Sequence, residues 1–104
     1  MKKIVNGKRY DTETATKIHG WENGYYPSDF QYCHEVLYQT KSGAFFLWGA
    51  GGAMSKYSRP AGNNTTSGGQ DITPLSKDEA KKWLEEHDGV ETLETYFKDE
   101  IADA

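Results

Sequence analysis

The chain has a single cysteine and no long apolar segment. Cys33 is alone among 104 residues, which excludes an intrachain disulfide. No run approaches the roughly 18 apolar residues that cross a bilayer, and the N-terminal sequence MKKIVNGKRY lacks the apolar segment of a signal peptide. We therefore expect a soluble, cytoplasmic protein with no membrane partner, folded as one domain over residues 1–104.

Common motifs of catalysis and metal binding are also missing. The glycines at residues 49–52 are followed by neither the lysine nor the Ser/Thr of a phosphate-binding loop, and no G-x-S-x-G occurs. Cys33 and His34 are neighbours on a predicted strand, so they point to opposite faces and cannot readily hold one metal ion. We expect no catalytic residue, no metal and no cofactor, in a protein that is not an enzyme.

Aromatic residues are plentiful, and they mark the centre of the fold. Residues 44–48, AFFLW, are short, apolar and free of charge, which is typical of a strand buried on both faces. Residues 30–40 alternate, and residues 41–43 have the composition of a three-residue hairpin loop, so residues 30–48 predict a central antiparallel hairpin. The core-facing side of its first strand is predicted to carry Phe30, Tyr32, His34, Val36 and Tyr38. The opposite, mostly polar side carries Gln31, Cys33, Glu35, Leu37 and Gln39.

Local signals predict further elements on the N-terminal side of this hairpin. Residues 2–5 and 8–10 flank Asn6-Gly7, which favours a tight type I′ turn between two strands. Residues 11–18 fit either a short helix capped by Asp11 or Thr12, or a strand, because three threonines disfavour a helix. Residues 20–29 form a turn-rich connection whose rings are predicted to fold back over the sheet: Trp21, Tyr25 and Tyr26.

The C-terminal side predicts an edge strand and two helices. Residues 70–75 fit a short edge strand that ends at Pro74. Ser76 and Glu79 form a capping box, and Asp88 is expected to cap a second helix after a break at Asp88-Gly89. The two apolar stripes are Ala80, Trp83, Leu84 and His87, then Val90, Leu93, Phe97 and Ile101. We expect an α+β fold, with an antiparallel β-sheet of three to five strands and two C-terminal helices packed on one face.

Residues 49–69 predict the functional loop. This stretch of 21 residues has no periodicity and contains six glycines, and structureless loops of that length tend to be functional. Its polar composition resembles that of adaptable protein-binding loops. We expect a protein-binding site that includes Met54, Lys56, Tyr57, Arg59, Asn63 and Asn64.

Charge is distributed unevenly along the chain. Residues 76–104 hold ten acids and four bases, a net charge of −6, whereas residues 1–75 hold six acids and eight bases, a net charge of +2. The acidic segment is either a solvated helical face or a surface for a basic partner. Under the second interpretation Glu91 and Glu94 belong to the binding site.

Four motifs resemble one family of short proteins carried on phages, plasmids and integrative elements of gram-positive bacteria. They are NGKRYDTETAT, FFLWGAGGAMSKY, GNN and ITPLSKDEAKKWLEEH, and the similarity spans nearly the whole chain. Many members carry an acidic residue where this chain has Ala50. Because such elements often encode small counter-defence proteins, the resemblance implies an anti-CRISPR-like inhibitor. Its partner would be a host defence protein such as an RNA-guided nuclease, blocked by protein–protein contact or by DNA mimicry.

An accessory single-stranded nucleic-acid-binding protein of a mobile element is the alternative. Stacking rings could come from Trp21, Tyr25, Tyr26, Trp48 and Tyr57, with Lys56 and Arg59 as phosphate contacts. The chain carries a net charge of −4, which disfavours a strong non-specific nucleic-acid binder.

Overall fold

Residues 1–104, all described by the computed structural model, form eight strands, two α-helices and one 3₁₀ turn. The strands are β1 (Lys2–Val5), β2 (Lys8–Asp11), β3 (Thr16–Glu22), β4 (Cys33–Gln39), β5 (Phe45–Gly51), β6 (Arg59–Pro60), β7 (Thr66–Ser67) and β8 (Gly69–Leu75). The helices are α1 (Lys77–Glu86) and α2 (Val90–Tyr96), followed by the 3₁₀ turn Lys98–Glu100. The predicted α+β fold is confirmed.

The main sheet has four antiparallel strands in the order β3-β4-β5-β8. At its centre is the predicted β4–β5 hairpin, with Leu37 opposite Leu47 and Glu35 opposite Gly49. Strand β8 lies at the edge, as expected, but it runs one residue past Pro74 to Leu75. Strand β4 begins at Cys33 rather than Phe30, because residues 30–32 belong to the preceding turn.

Both faces of this sheet are covered. On one face Leu37, Phe45 and Leu47 pack against the helices, which contribute Ala80, Trp83, Leu84 and Phe97. On the other face Phe46 and Ile72 pack against Tyr10 from the β1–β2 hairpin. The prediction that the apolar stretch is buried on both faces is therefore confirmed for residues 45–47.

The predicted orientation of β4 is only half right. Val36, expected to face the core, is buried. Cys33, Glu35 and Leu37 were expected to face outward, and all three are buried as well. Phe30, expected in the core, is exposed. Alternation identifies two faces of a strand but cannot say which is inside when a hairpin covers one and helices cover the other.

Residues 11–18 form a turn and then a strand, so the helical alternative is wrong and the strand alternative is right. The Asp11 carboxylate accepts a hydrogen bond of 2.9 Å from the Glu13 amide, which closes a turn in place of a helix cap. β3 then extends through Trp21. Trp21, expected in the connection, is part of β3 and packs on the helix-side core. Tyr25 and Tyr26, expected to fold back over the sheet, are exposed.

The predicted structureless loop is largely structured. Residues 49–51 continue strand β5, and β6 pairs with β7 as a small hairpin, with Arg59 opposite Ser67. Five of the six glycines in residues 49–69 lie where neighbouring atoms approach too closely for a side chain; a Cβ at Gly52, for example, would meet the Phe30 carbonyl oxygen at 2.5 Å. The sixth, Gly62, has open space around it and a φ of +111°. Close approach and one left-handed turn position therefore explain the glycine-rich sequence without a phosphate loop.

Helix α1 begins with the predicted capping box. The Glu79 amide donates to Ser76 Oγ at 3.1 Å, and the Ser76 amide donates to Glu79 Oε1 at 2.8 Å. The predicted cap of α2 is wrong, because Gly89 is its N-cap and no side chain caps it. Leu93 and Phe97 pack on the core, but Val90 and Ile101 are exposed. Neither helix is long and apolar enough to cross a membrane.

Candidate functional site

A fully buried carboxylate, Glu35, lies between the sheet and helix α1. Its Oε2 accepts a short hydrogen bond from the Tyr57 hydroxyl and forms a 2.7 Å ion pair with Lys56 Nζ. Its Oε1 accepts a 3.1 Å hydrogen bond from Trp83 Nε1, and His87 Nε2 lies 3.7 Å away. We call these five residues the Glu35 cluster.

The local sequence explains how a loop reaches this carboxylate. Gly49 lies opposite Glu35 in the sheet, and the Tyr57 ring occupies the space that a side chain at residue 49 would fill. Ser55 fixes the approach, because its hydroxyl donates to the Gly52 carbonyl at 2.8 Å and accepts from the Tyr57 amide at 3.2 Å. The glycine therefore permits the contact between strand and loop, and the serine turn directs it.

Two opposed influences set the charge of Glu35. Burial is the largest and raises the pKa of its carboxyl group, but hydrogen bonds from Lys56, Tyr57 and Trp83 together outweigh it, so the pKa is lowered from its ordinary value. Burial and the adjacent Glu35 carboxylate both raise the pKa of Tyr57. At neutral pH Glu35 is consequently a carboxylate that accepts the hydrogen bond, and Tyr57 is a neutral phenol that donates it.

His87 is oriented by backbone carbonyl groups. Its Nδ1 lies 2.7 Å from the Trp83 carbonyl oxygen, and that oxygen can only accept, so Nδ1 carries the hydrogen. His19 Nε2 donates to the His87 carbonyl at 2.8 Å by the same reasoning. This arrangement fixes the His87 ring with Nε2 toward Glu35, and it links β3 to the end of α1.

The contacts of the Glu35 cluster hold a loop in place. Every oxygen of the buried carboxylate already faces a donor from the chain. The neighbouring thiol of Cys33 is buried, and burial followed by the Glu35 charge raises its pKa, which keeps it protonated and poorly nucleophilic. The cluster anchors residues 52–57 to the sheet with the geometry of a structural support.

Two backbone segments beside this support, the turn at residues 25–30 and the loop at Met54, carry exposed apolar side chains. We define the apolar patch as Tyr25, Tyr26, Phe30 and Met54, all exposed. Tyr26 is 82% exposed, while Phe30 and Met54 are each 66% exposed. The Met54 amide donates to the Phe30 carbonyl at 2.7 Å, so the two segments that carry the patch are joined through the backbone.

A groove connects the apolar patch to the Glu35 cluster. The groove has a volume of about 310 Å³, and its walls include Met54 from the patch and Lys56 and His87 from the cluster. Trp21 also lines it. Lys56 remains largely exposed although its ammonium group is paired with Glu35. The surface at this end of the sheet therefore combines exposed rings, a thioether and one accessible cation.

The structure brings together some of the residues predicted for the loop site and separates others. Met54, Lys56 and Tyr57 lie together, but Tyr57 is turned inward to the carboxylate rather than outward. Arg59 is absent from the groove but lines a separate cavity of about 380 Å³ together with Lys56 and Tyr57. Its Nη2 donates to the Gln70 carbonyl at 2.7 Å and lies 3.9 Å from Asp71, beside strand β8. Of the remaining predicted residues, Asn63 and Asn64 lie in the exposed turn between β6 and β7, and Glu91 and Glu94 lie on α2, outside the groove.

Sequence reasoning missed Glu35 as the organising residue and Phe30 as a surface residue. A carboxylate next to the apolar pair Val36-Leu37, in a strand predicted to be central, is a signal for a buried acid that needs partners. The partners could not be assigned, because Lys56 and Trp83 lie 21 and 48 positions away in the chain.

Comparisons with protein-family models, with curated proteins and with solved structures found no match for this chain.

Proposed function

We propose that this protein is a non-catalytic binding protein that inhibits a host-defence complex by protein–protein contact. The observation that carries the proposal is the apolar patch, in which Tyr26, Phe30 and Met54 are exposed on a framework anchored by a buried carboxylate. Exposed apolar side chains grouped on one surface are typical of interaction sites, and aromatic residues and methionine are enriched there.

The composition of this surface indicates the kind of partner. The patch fits an apolar depression on another protein, and the exposed Lys56 beside it fits a carboxylate at the rim of that depression. The partner proposed first is an RNA-guided nuclease, because the sequence motifs resemble proteins of mobile elements that encode such inhibitors. A target of this kind would place the protein in the cytoplasm.

Contact through the patch is favoured over DNA mimicry by the acidic helices. DNA mimicry needs carboxylates that are free to meet a basic channel. Glu100 is already paired with Lys77 and Lys81, at 2.8 and 3.2 Å, and Glu79 is bound to the Ser76 amide. Fewer acids than the sequence suggests are therefore available on that face.

Accessory binding of single-stranded nucleic acid is the second candidate. It is favoured by the three exposed rings Tyr25, Tyr26 and Phe30, which could stack on bases. The only lysine or arginine that lines the adjoining groove is Lys56, whose charge is partly neutralised by Glu35. This surface therefore fits a protein better than a polyanion.

A pull-down with purified RNA-guided effector complexes, paired with a DNA-cleavage assay, tests the proposal. We expect one effector type to be retained and its cleavage to slow in proportion to the amount bound. Normal cleavage and no retention across the types would overturn the proposed target. Tight binding of single-stranded DNA through the rings Tyr25, Tyr26 and Phe30 would favour the second candidate.

A further inference from the structure

The opposite end of the central hairpin carries a second cleft, distinct from the groove. The β4–β5 pair runs from Cys33 opposite Gly51, near the apolar patch, to Gln39 opposite Phe45, near the turn. At this turn end, a cleft of about 670 Å³ lies between the β1–β2 hairpin and residues 40–44. Its lining includes Lys8 and Arg9 from the hairpin, and no carboxylate.

The two bases in this cleft have no partner within the protein. Elsewhere Lys3 is paired with Asp71, Lys56 with Glu35, and Lys77 and Lys81 with Glu100. Lys8 and Arg9 form no ion pair and no side-chain hydrogen bond, and both are exposed. Uncompensated cations that line a concave surface favour an anionic ligand, because they raise the local positive potential.

Hydroxyl groups complete the lining. Thr40 Oγ1 accepts a 3.1 Å hydrogen bond from the Ala44 amide, and it lies 3.1 Å from Ser42 Oγ. Thr40 and Ser42 each have one hydroxyl hydrogen, and the hydrogen bond between the two oxygens uses one of them. The other hydrogen remains free to donate to a ligand. Lys41, between them in sequence, adds a third cation to the same turn.

We propose that this cleft binds phosphate groups. Arginine pairs with two phosphate oxygens at once, lysine neutralises charge, and a hydroxyl donates to a further oxygen. Tyr10, the aromatic residue in the lining, is buried against Phe46 and offers no face for stacking. The site therefore recognises phosphate and not a nucleobase. The phosphate belongs either to a nucleic-acid backbone or to a free phosphorylated small molecule.

The layering of the fold supports this assignment. The strands β1 and β2 hold Lys2, Lys3, Lys8 and Arg9 against one acid, Asp11. They lie on the face of the sheet opposite the helices, and the segment 76–104 that contains the helices holds ten of the 16 acidic residues. The sheet thus separates a basic layer from an acidic one, and a polyanion can approach the basic layer despite the negative net charge.

NMR titration of the isotope-labelled protein tests the proposal, with two probes: inorganic pyrophosphate, and a single-stranded oligothymidine of about ten nucleotides. We expect the amide signals of Lys8, Arg9 and residues 40–44 to shift with at least one probe. A shift with pyrophosphate and no tighter binding of the oligonucleotide identifies a small phosphorylated ligand. Tighter binding of the oligonucleotide, weakening steeply with salt, identifies a nucleic-acid backbone.

Paired charge removals provide the control. The K8Q/R9Q variant should bind the responding probe about tenfold or more weakly, because it removes both positive charges from the lining of the cleft. The matched K82Q/K98Q variant removes two exposed lysines on the helical side, Lys82 and Lys98, which form no ion pair, and it should keep most of the affinity. Equal loss in both variants, or no shift of the cleft signals with either probe, overturns the proposal.

Discussion

The Tyr57 ring occupies the space that a Cβ atom on Gly49 would fill, so the loop and the strand can pack only because residue 49 is glycine. From that position the Tyr57 hydroxyl reaches Glu35, the residue opposite Gly49 in the sheet. The exposed residues around Met54 belong to the same loop. A glycine in the central sheet thereby controls where the proposed binding surface lies.

Gly49→Ala should destabilise the protein by about 2–4 kcal/mol, because the new methyl group overpacks the site and pushes Tyr57 off Glu35. Urea unfolding measures the change. Gly20→Ala is the matched control, since a Cβ there would meet its nearest neighbour, Lys17 Cε, at an ordinary 3.5 Å. Gly20→Ala should change the free energy of unfolding by less than about 1 kcal/mol.

A double-mutant cycle checks the cause. Once Tyr57→Ala has removed the ring, Gly49→Ala has nothing to displace, so its cost should fall to less than half. Equal costs of Gly49→Ala with and without the Tyr57 ring would show that strain elsewhere in β5 is responsible.

The sequence was sufficient to predict several strands, turns and caps. It was insufficient to predict which residues distant in the chain pack against each other. The Asn6-Gly7 turn and the Ser76–Glu79 box act locally and formed as predicted, and the apolar stretch formed a strand that begins at Phe45 and runs on to Gly51. The orientation of β4 depends on what covers each face, and that is decided by residues far away in the chain. Phe46 and Leu47 are both buried, so apolarity alone could not show which neighbouring layer each one meets.

In the candidate site, too, local features were predicted and long-range contacts were not. The loop was predicted as functional from its length and glycines, and Met54 and Lys56 do lie beside the groove. Tyr57 was expected to face a partner, and it points inward to Glu35. The only sequence signal for that role is Gly49, which lies opposite Glu35 in the sheet. Phe30 was expected in the core but is exposed, because the preceding turn delays the start of β4 by three residues, to Cys33.

Glu35 should make stability depend on pH in the acid range. Because its pKa is lowered in the folded protein, its contribution is complete above the unfolded pKa of about 4.3 and is lost as the pH falls through the lower folded value. Glu35→Gln should be less stable than the parent by about 2–4 kcal/mol at pH 7. Urea unfolding at successive pH values should show this difference narrowing below about pH 4, since a protonated Glu35 resembles glutamine.

Both proteins retain Asp71, Glu79 and Glu100, whose lowered pKa values contribute equally to each. The comparison therefore isolates the effect of Glu35. A stability difference that stays constant from pH 7 to about pH 3 would mean that the charge of Glu35 contributes nothing to stability.

Trp83 is expected to contribute in two separable ways. Trp83→Ala should cost about 3–5 kcal/mol, because the buried ring leaves a cavity beneath α1. Trp83→Phe keeps most of the ring but removes the hydrogen bond to Glu35, so it should cost about 1–3 kcal/mol. It should also move the acid-induced loss of stability to higher pH, since Glu35 loses a donor that lowers its pKa.

Trp48→Phe is the control for Trp83→Phe. Trp48 is only half-buried, and its Nε1 donates to the exposed Gln70 side chain at 3.0 Å, where water can replace the partner. We expect a cost of less than about 1 kcal/mol and an unchanged acid transition. An acid transition that shifts equally in both variants would contradict the role assigned to Trp83 in the Glu35 cluster.

The apolar patch should contribute to binding without contributing to stability. Phe30→Ser combined with Met54→Ser removes two side chains that are 66% exposed, so the free energy of unfolding should change by less than about 1 kcal/mol. Affinity for the effector that the protein inhibits should fall about tenfold or more, because apolar anchors dominate protein interfaces. Calorimetry or surface plasmon resonance with that effector measures the loss.

Ile4→Ser provides a control of equal exposure, because Ile4 is 65% exposed but lies on β1. It should leave both the affinity and the inhibition of cleavage unchanged. If the Phe30/Met54 double variant binds as tightly as the parent, the partner contacts another surface. If Ile4→Ser weakens binding to the same extent, the interface extends to the β1–β2 hairpin, and the patch at the Met54 end is not the site of recognition.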